Sequence, residues 1–203
     1  MAIDFPNSPT TGDTFSVGSK TWKWNGSLWV AVSSKLRWAY VTATTGTPTT
    51  GTYTDANGVS WKYYKWTGNG SVTTSGGVVD CLLVGGGGHS DGWSESGSGF
   101  VRDGVQQISA GTLTITIGQP GASGVLGTAS SLGSISAGRG SSAVAQDGKA
   151  GRADVTSSIT GTSLTYGSVL ASVRANFGDG GENAGPGSSG VVIIRVPVEY
   201  ALV

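Results

Sequence analysis

Reactive side chains are scarce in this chain. It has one cysteine, one histidine and one methionine, and only 12% of its residues are charged. The lone Cys81 excludes an internal disulfide, and its place inside an apolar run predicts a small buried hydrophobe. The lone His89 excludes a multi-histidine metal centre. Twelve Lys and Arg balance twelve Asp and Glu, so neither a basic stripe for nucleic acid nor a highly charged tail is present. No apolar run approaches the roughly 20 residues of a membrane-spanning helix, so no membrane insertion is expected. The opening Met1-Ala-Ile-Asp-Phe-Pro6 lacks the basic start and apolar core of a signal peptide. Synthesis is therefore expected in a cytoplasm, with release by another route such as cell lysis.

Catalytic patterns are missing as well. There is no Gly-x-Ser-x-Gly nucleophile elbow. Gly148-Lys-Ala150 lacks the Ser or Thr and the upstream glycines of a phosphate-binding loop. Gly185-Pro-Gly-Ser-Ser-Gly190 matches Gly-x-Gly-x-x-Gly, but a dinucleotide fingerprint follows a strand and opens a helix. Here the motif precedes an apolar run and reads as a turn. Asp179-Gly-Gly-Glu-Asn183 lacks the alternating acids of a calcium loop. The acids are dispersed, with no spacing that favours a glycosidase pair. The expectation is a protein that is not an enzyme and uses no cofactor or metal.

Glycine is abundant, at 36 of 203 residues, against a usual share of roughly 7%. The strongest local pattern is Val78-Val-Asp-Cys-Leu-Leu-Val84 running into Gly85–Gly88, and Val191–Val196 answers it. Such near-continuous apolar runs fit strands buried on both faces in the centre of a sheet. Thr112-Leu-Thr-Ile-Thr-Ile117 alternates, which turns Leu113, Ile115 and Ile117 inward. Ser130–Ser136 and Ser163–Tyr166 predict shorter strands. Val169–Phe177 has helical character without a capping signal. Gly118, Gly121, Gly124 and Gly127 recur at every third residue, the period of a polyproline-II backbone. That run fits either a glycine-rich hairpin loop or a polyglycine-type segment stacked beside similar ones. The fold class is all-β: a small N-terminal β-hairpin unit, then a glycine-rich β-sandwich.

Residues 1–34 form the first unit. In Thr21-Trp-Lys-Trp-Asn-Gly-Ser-Leu-Trp-Val30, a two-residue Asn25-Gly26 turn puts Trp22 opposite Trp29. Trp22, Trp24 and Trp29 then share one face. A lone hairpin is marginal in water, so these tryptophans are a candidate assembly surface. Residues 35–58 read as an extended strand and linker, and 59–203 as the glycine-rich domain.

Binding candidates lie on loops. His89-Ser-Asp-Gly-Trp-Ser-Glu95 follows the glycines and combines Trp93 with His89, Asp91 and Glu95. An exposed tryptophan among short polar groups stacks on a sugar or anchors a protein contact. The alternative is that Trp93 folds back over the sheet. Arg139 and the run Asn176–Glu182, with Asn176, Asp179 and Glu182, are further candidates. Asn25-Gly-Ser and Asn69-Gly-Ser fit the glycosylation sequon, which acts only in a secreted eukaryotic protein.

The stretch from Tyr64-Lys-Trp-Thr-Gly68 through Val78–Gly88 resembles the opening of the glycine-rich domain of bacteriophage tail fibres and adhesins. Ser109–Gly118, Ala129–Ala137 and Gly190–Arg195 follow in that family's order, and the resemblance covers roughly residues 59–197. The start, with Met1–Phe15 and Thr21-Trp-Lys-Trp-Asn-Gly26, is similar to structural proteins of marine tailed phages, cyanophages among them. The resemblance implies a virion protein made in a bacterial host. It implies attachment to other virion proteins through the N-terminal unit, a homotrimer, and host contact through glycine loops at the far end. The expected function is a short tail fibre or fibre-tip adhesin binding a host surface glycan or outer-membrane protein. The alternatives are a capsid or tail decoration protein and, less favoured, a glycan depolymerase. Family members carry longer glycine tracts where this chain reads His89–Ser96 and Ser168–Phe177. That departure predicts irregular loops in place of a fully stacked polyglycine array.

Overall fold

The computed structural model describes residues 3–17, 20–32, 37–90, 96–122, 125–140, 154–168, 173–181 and 185–202. The chain divides into two compact units, Met1–Arg37 and Trp38–Val203. Residues 38–58 are not a linker. Ala39 and Val41 are buried in the second unit's core, and both strands of this stretch pair into its main sheet.

The first unit is a meander of β1 (Thr14–Val17), β2 (Lys20–Trp24) and β3 (Trp29–Val32). Its hairpin register differs from the expected one: Trp24 faces Trp29, and Trp22 faces Ala31. The cause is the Asn25 side chain. Its Oδ1 accepts the backbone N–H groups of Ser27 and Leu28 at 3.0 and 2.9 Å, which holds a four-residue connection. The shift is two residues, so the three tryptophans stay on one face. Phe5 stacks on Trp29 (5.5 Å, 13°) and meets Trp22 edge-on (5.4 Å, 84°). Trp22 is thereby consumed as the unit's own core, at 9% exposure.

The second unit holds β4 (Val41–Thr45), β5 (Thr49–Thr54), β6 (Ser60–Trp66), β7 (Gly70–Val84), β8 (Val101–Thr116), β9 (Ser130–Leu132), β10 (Ile135–Ala137), β11 (Val155–Ser157), β12 (Leu164–Tyr166) and β13 (Val191–Pro197). Eight of them form one antiparallel sheet in the order β10-β9-β8-β7-β13-β6-β5, with β4 also on β7. The two apolar runs are its adjacent central strands, β7 and β13. Their side chains feed two cores. Cys81, Leu83, Val192 and Ile194 face one, and Leu82, Val84, Val191 and Ile193 the other. The β11–β12 hairpin supplies Tyr166 to the second core, with Ile159 just beyond β11.

The first core gathers side chains from β4, β6, β7, β8, β9, β10 and β13, so the sheet curls around it. Gly76 (φ +74°) and Gly77 (φ +128°) lie within β7, and the pairing with β8 breaks off at Gly76 alone, without a shift of register. A side chain would be strained at either φ. Before the break β7 pairs with β4; beyond it β7 pairs with β13. The curl brings Trp66 of β6 to β4, where its indole N–H donates to the Thr45 carbonyl at 2.8 Å. Val169–Phe177 lies partly outside the described residues, and its described part, 173–177, is turn and coil with no helix.

Beyond β7 the backbone leaves the sheet and enters a stacked array. Gly85, Gly86 and Gly87 donate to the carbonyls of Phe100, Thr128 and Ser188 at 3.0, 2.9 and 2.9 Å. Gly88 returns to the first neighbour, at Gly97 O (2.9 Å). Three directions repeating every three residues is the polyproline-II period. In return, Gly86 O accepts from Gly140, Gly87 O from Gly121, and Gly88 O from Gly181 and Gly187. Gly85–Gly88 is therefore a central rod ringed by six others: 97–100, 118–121, 127–128, 138–140, 178–181 and 187–190. The described residues thus form a stacked array where irregular loops were expected; of the two stretches that prompted that expectation, residues 91–95 and 169–172 lie outside the described residues. Serines and an aspartate are accommodated among the glycines because only the closest approaches demand a missing side chain.

At those approaches glycine is obligatory. A Cβ on Gly87 would sit 1.9 Å from the Asp179 carbonyl oxygen, whereas one on Gly68 would meet nothing within 4 Å. Gly87→Ala should lower stability by about 3 kcal/mol or more, and Gly68→Ala should change it by less than about 0.5 kcal/mol. Urea unfolding of the two variants checks this.

Candidate functional site

The rods alternate in direction around the centre. Segments 118–121, 138–140 and 178–181 run with Gly85–Gly88, since Gly86 meets Gln119, Gly85 meets Gly138, and Gly85 and Gly88 meet Gly178 and Gly181. Segments 97–100, 127–128 and 187–190 run against it. At one end the rods continue into β7, β8, β9, β10 and β13. At the other, the described rods end at Ser90, Ala122, Gly140 and Gly181 and begin at Ser96, Val125 and Gly185. The array thus has a sheet end and a free end.

The sequence candidates distribute unevenly over it. His89 is half-buried near the free end, and its Nδ1 is buried with no hydrogen-bond partner among the described residues. Arg139 is exposed between Gly138 and Gly140. Asn176, at φ +64°, precedes Gly178 at the sheet end, so the structure does not bring it to His89. Asp91, Trp93, Glu95 and Glu182 lie outside the described residues. In the first unit, Trp24 borders an open hollow of about 600 Å³ with Thr11, Lys23 and Val30; Trp29 is half-buried.

Asp179 is not a surface contact. It is fully buried, and its carboxylate accepts Arg174 Nε and Nη2 at 2.9 Å each and the Arg174 backbone N–H at 2.9 Å. The Ser168 N–H adds 3.2 Å. Arg174 also lies over the Phe177 ring at 4.4 Å. This fork holds the approach to rod 178–181 in place. Asn69 is likewise structural: its Oδ1 accepts the Ile117 N–H at 2.8 Å.

Sequence reasoning missed a second feature on the sheet. Three cross-strand rows line up on the β8–β7–β13 face: Val101-Val84-Val191, Asp103-Leu82-Ile193 and Val105-Asp80-Arg195. The β11–β12 hairpin covers the apolar rows and stops at the polar one. There it leaves a hollow of about 480 Å³ lined by Asp80, Asp103, Val105, Thr156, Ser157, Ser158, Ile159 and Arg195. Arg195 binds Asp80 through Nε (2.7 Å) and Nη2 (2.6 Å), donates from Nη1 to the Tyr53 hydroxyl, and lies 4.4 Å over the Trp61 ring. Burial, then the Asp80 and Asp103 charges, push the Cys81 thiol up to about 12. The only advance signal for this hollow was polar residues at even spacing in two apolar strands, Asp80 and Arg195.

Among the described residues, no three His, Cys, Asp or Glu side chains converge as a metal site, and no helix is long and apolar enough to cross a membrane. No protein family, curated protein or solved structure matches the chain.

Two outcomes follow from the burial. Asp179→Ala should cost about 3 kcal/mol in urea unfolding, because it leaves a partly buried guanidinium unpaired. Cys81 should resist a thiol reagent at pH 8 in the folded protein and react fully in denaturant, as titration of released chromophore would show.

Proposed function

We propose that this chain is a virion structural protein, a short tail fibre or fibre-tip adhesin. In this reading it binds the host surface, a glycan or an outer-membrane protein, through the free end of the glycine array. The aromatic N-terminal unit attaches it to other virion proteins, with Trp24 and the hollow beside it as the contact, and the assembly is a homotrimer.

The observation that carries the reading is the alternation of rod directions. It brings the described residues Ser90 and Ser96, Ala122 and Val125, and Gly181 and Gly185 to one end of the array, with Gly140 beside them. A stiff backbone array of this kind holds the described ends of several rods side by side. Contact residues are commonly carried on connections that a rigid scaffold positions. The motif order shared with phage adhesin domains supports the same reading.

Purified, fluorescently labelled protein should bind saturably to a susceptible strain in a panel of marine cyanobacteria. Trp93→Ala should weaken that binding by about 2 kcal/mol, the loss typical of an aromatic anchor, with melting and oligomeric state unchanged. A loss of stability in its place would make Trp93 a core residue. Gold-labelled antibody found on the capsid, or a tight monomer by light scattering, would overturn the fibre reading.

A further inference from the structure

The hollow beside the β11–β12 hairpin is charged but not balanced. The Asp80 carboxylate is taken by Arg195. Asp103, on the next row and exposed at the rim, has no ion-pair partner among the described residues. An anionic ligand would meet two carboxylates and a guanidinium already engaged. Flat stacking is also denied, because the Trp61 ring is covered by Arg195 at 4.4 Å and meets Trp38 edge-on at 5.2 Å. What remains is one carboxylate, the hydroxyl of Ser158 on the exposed side of the wall, and apolar edges from Val105 and Ile159; the Thr156 hydroxyl is taken by Thr165 on the hairpin's other face, at 3.0 Å. The volume of about 480 Å³ falls within the range of small-molecule sites.

We propose that this hollow binds an amine-bearing saccharide unit, its ammonium seated on Asp103 and a hydroxyl on Ser158. The ammonium supplies the missing positive charge, and hydrogen bonds to a charged partner discriminate more strongly than neutral ones. The site lies on the sheet and does not depend on host contact at the free end of the array.

The charge state of Asp103 supplies a second handle. Lost hydration raises its pKa above the ordinary carboxylate range; a hydrogen bond from Ser157 opposes this, and the Asp80 charge adds to it. The groups facing it are Asp80 on β7, Arg195 on β13, Ser157 on β11 and Tyr166 on β12. As pH falls through that raised value, Asp103 becomes neutral while the amine stays protonated. Affinity should therefore fall at a higher pH than an ordinary carboxylate would impose.

Titration calorimetry on the intact chain, with glucosamine, glucose and N-acetylglucosamine as probes, tests this. Glucosamine should bind at least about tenfold more tightly than the other two, a difference of about 1.4 kcal/mol. Asp103→Asn should remove that preference without lowering the melting temperature, because it removes a charge held at a solvation cost. Val105→Trp, at a position 51% exposed, should block the hollow in a folded protein. Equal binding of glucose and glucosamine, no glucosamine binding, or a preference that survives Asp103→Asn would each overturn the proposal. None of these outcomes involves host cells, so they are separable from a failure of the adhesin reading.

Discussion

Backbone meeting backbone without side chains between them is the constraint on which the second unit depends. The rod Gly85–Gly88 exchanges hydrogen bonds with six neighbours, and each such bond contributes only about 0.5–1.5 kcal/mol net. Ordering each backbone residue costs about 1–2 kcal/mol, and glycine has the most freedom to lose. An array of this kind has little apolar surface to offset that cost, so it cannot stand alone. It stands because its rods grow out of strands whose side chains are buried: Leu82, Leu83 and Val84 before the rod, and Val191 to Ile194 after another. The sheet supplies the hydrophobic free energy, and the array converts it into a stiff extension.

The few charges serve the same end. Arg195 ties β13 to β7 through Asp80 and to β5 through Tyr53. Arg174 fixes the start of rod 178–181 through Asp179. Each guanidinium lies over an aromatic ring at 4.4 Å. Planar, forked cations suit such partly buried places. One pair fastens two strands side by side within the ladder and the other holds a turn outside it, which explains how so weakly charged a chain still uses charge structurally.

Much of the sheet was legible in the sequence because strong local patterns coincide with its centre. Val78–Val84 and Val191–Val196 read as buried strands and are the adjacent central pair. The alternation at Leu113, Ile115 and Ile117 matches residues that pack in the core or against it. The triplet at Gly118–Gly127 left hairpin loop and stacked rod open, and the described parts are rods. The first half of β8 was not legible, since Val101 to Ala110 mixes charges and glutamines and carries Gly104 at φ +121°. The hairpin register was missed because a side-chain hydrogen bond at Asn25 competes with the two-residue turn. The wider array was hidden for a simpler reason. Its neighbours are far apart in sequence, and their demand is on approach distance, which buried serines also meet where the hydroxyl bonds a neighbouring rod, as Ser96 does to Gly88 O at 2.8 Å. Asp179 misled for the opposite reason, since polar turn composition hid a partner five residues away.

The position of β13 has a consequence for how the chain is made. It is synthesised after every other described strand, yet it lies between β6 and β7. Until it emerges, both of those strands present bare apolar edges, and the rod at Gly85–Gly88 lacks its neighbours at 178–181 and 187–190. Contacts of such sequence separation form slowly, and unpaired edges invite pairing with other chains. The nascent molecule therefore passes through an interval of adhesion to its own kind before β13 fills the gap. Crowded synthesis of many copies at once would be its most hazardous moment.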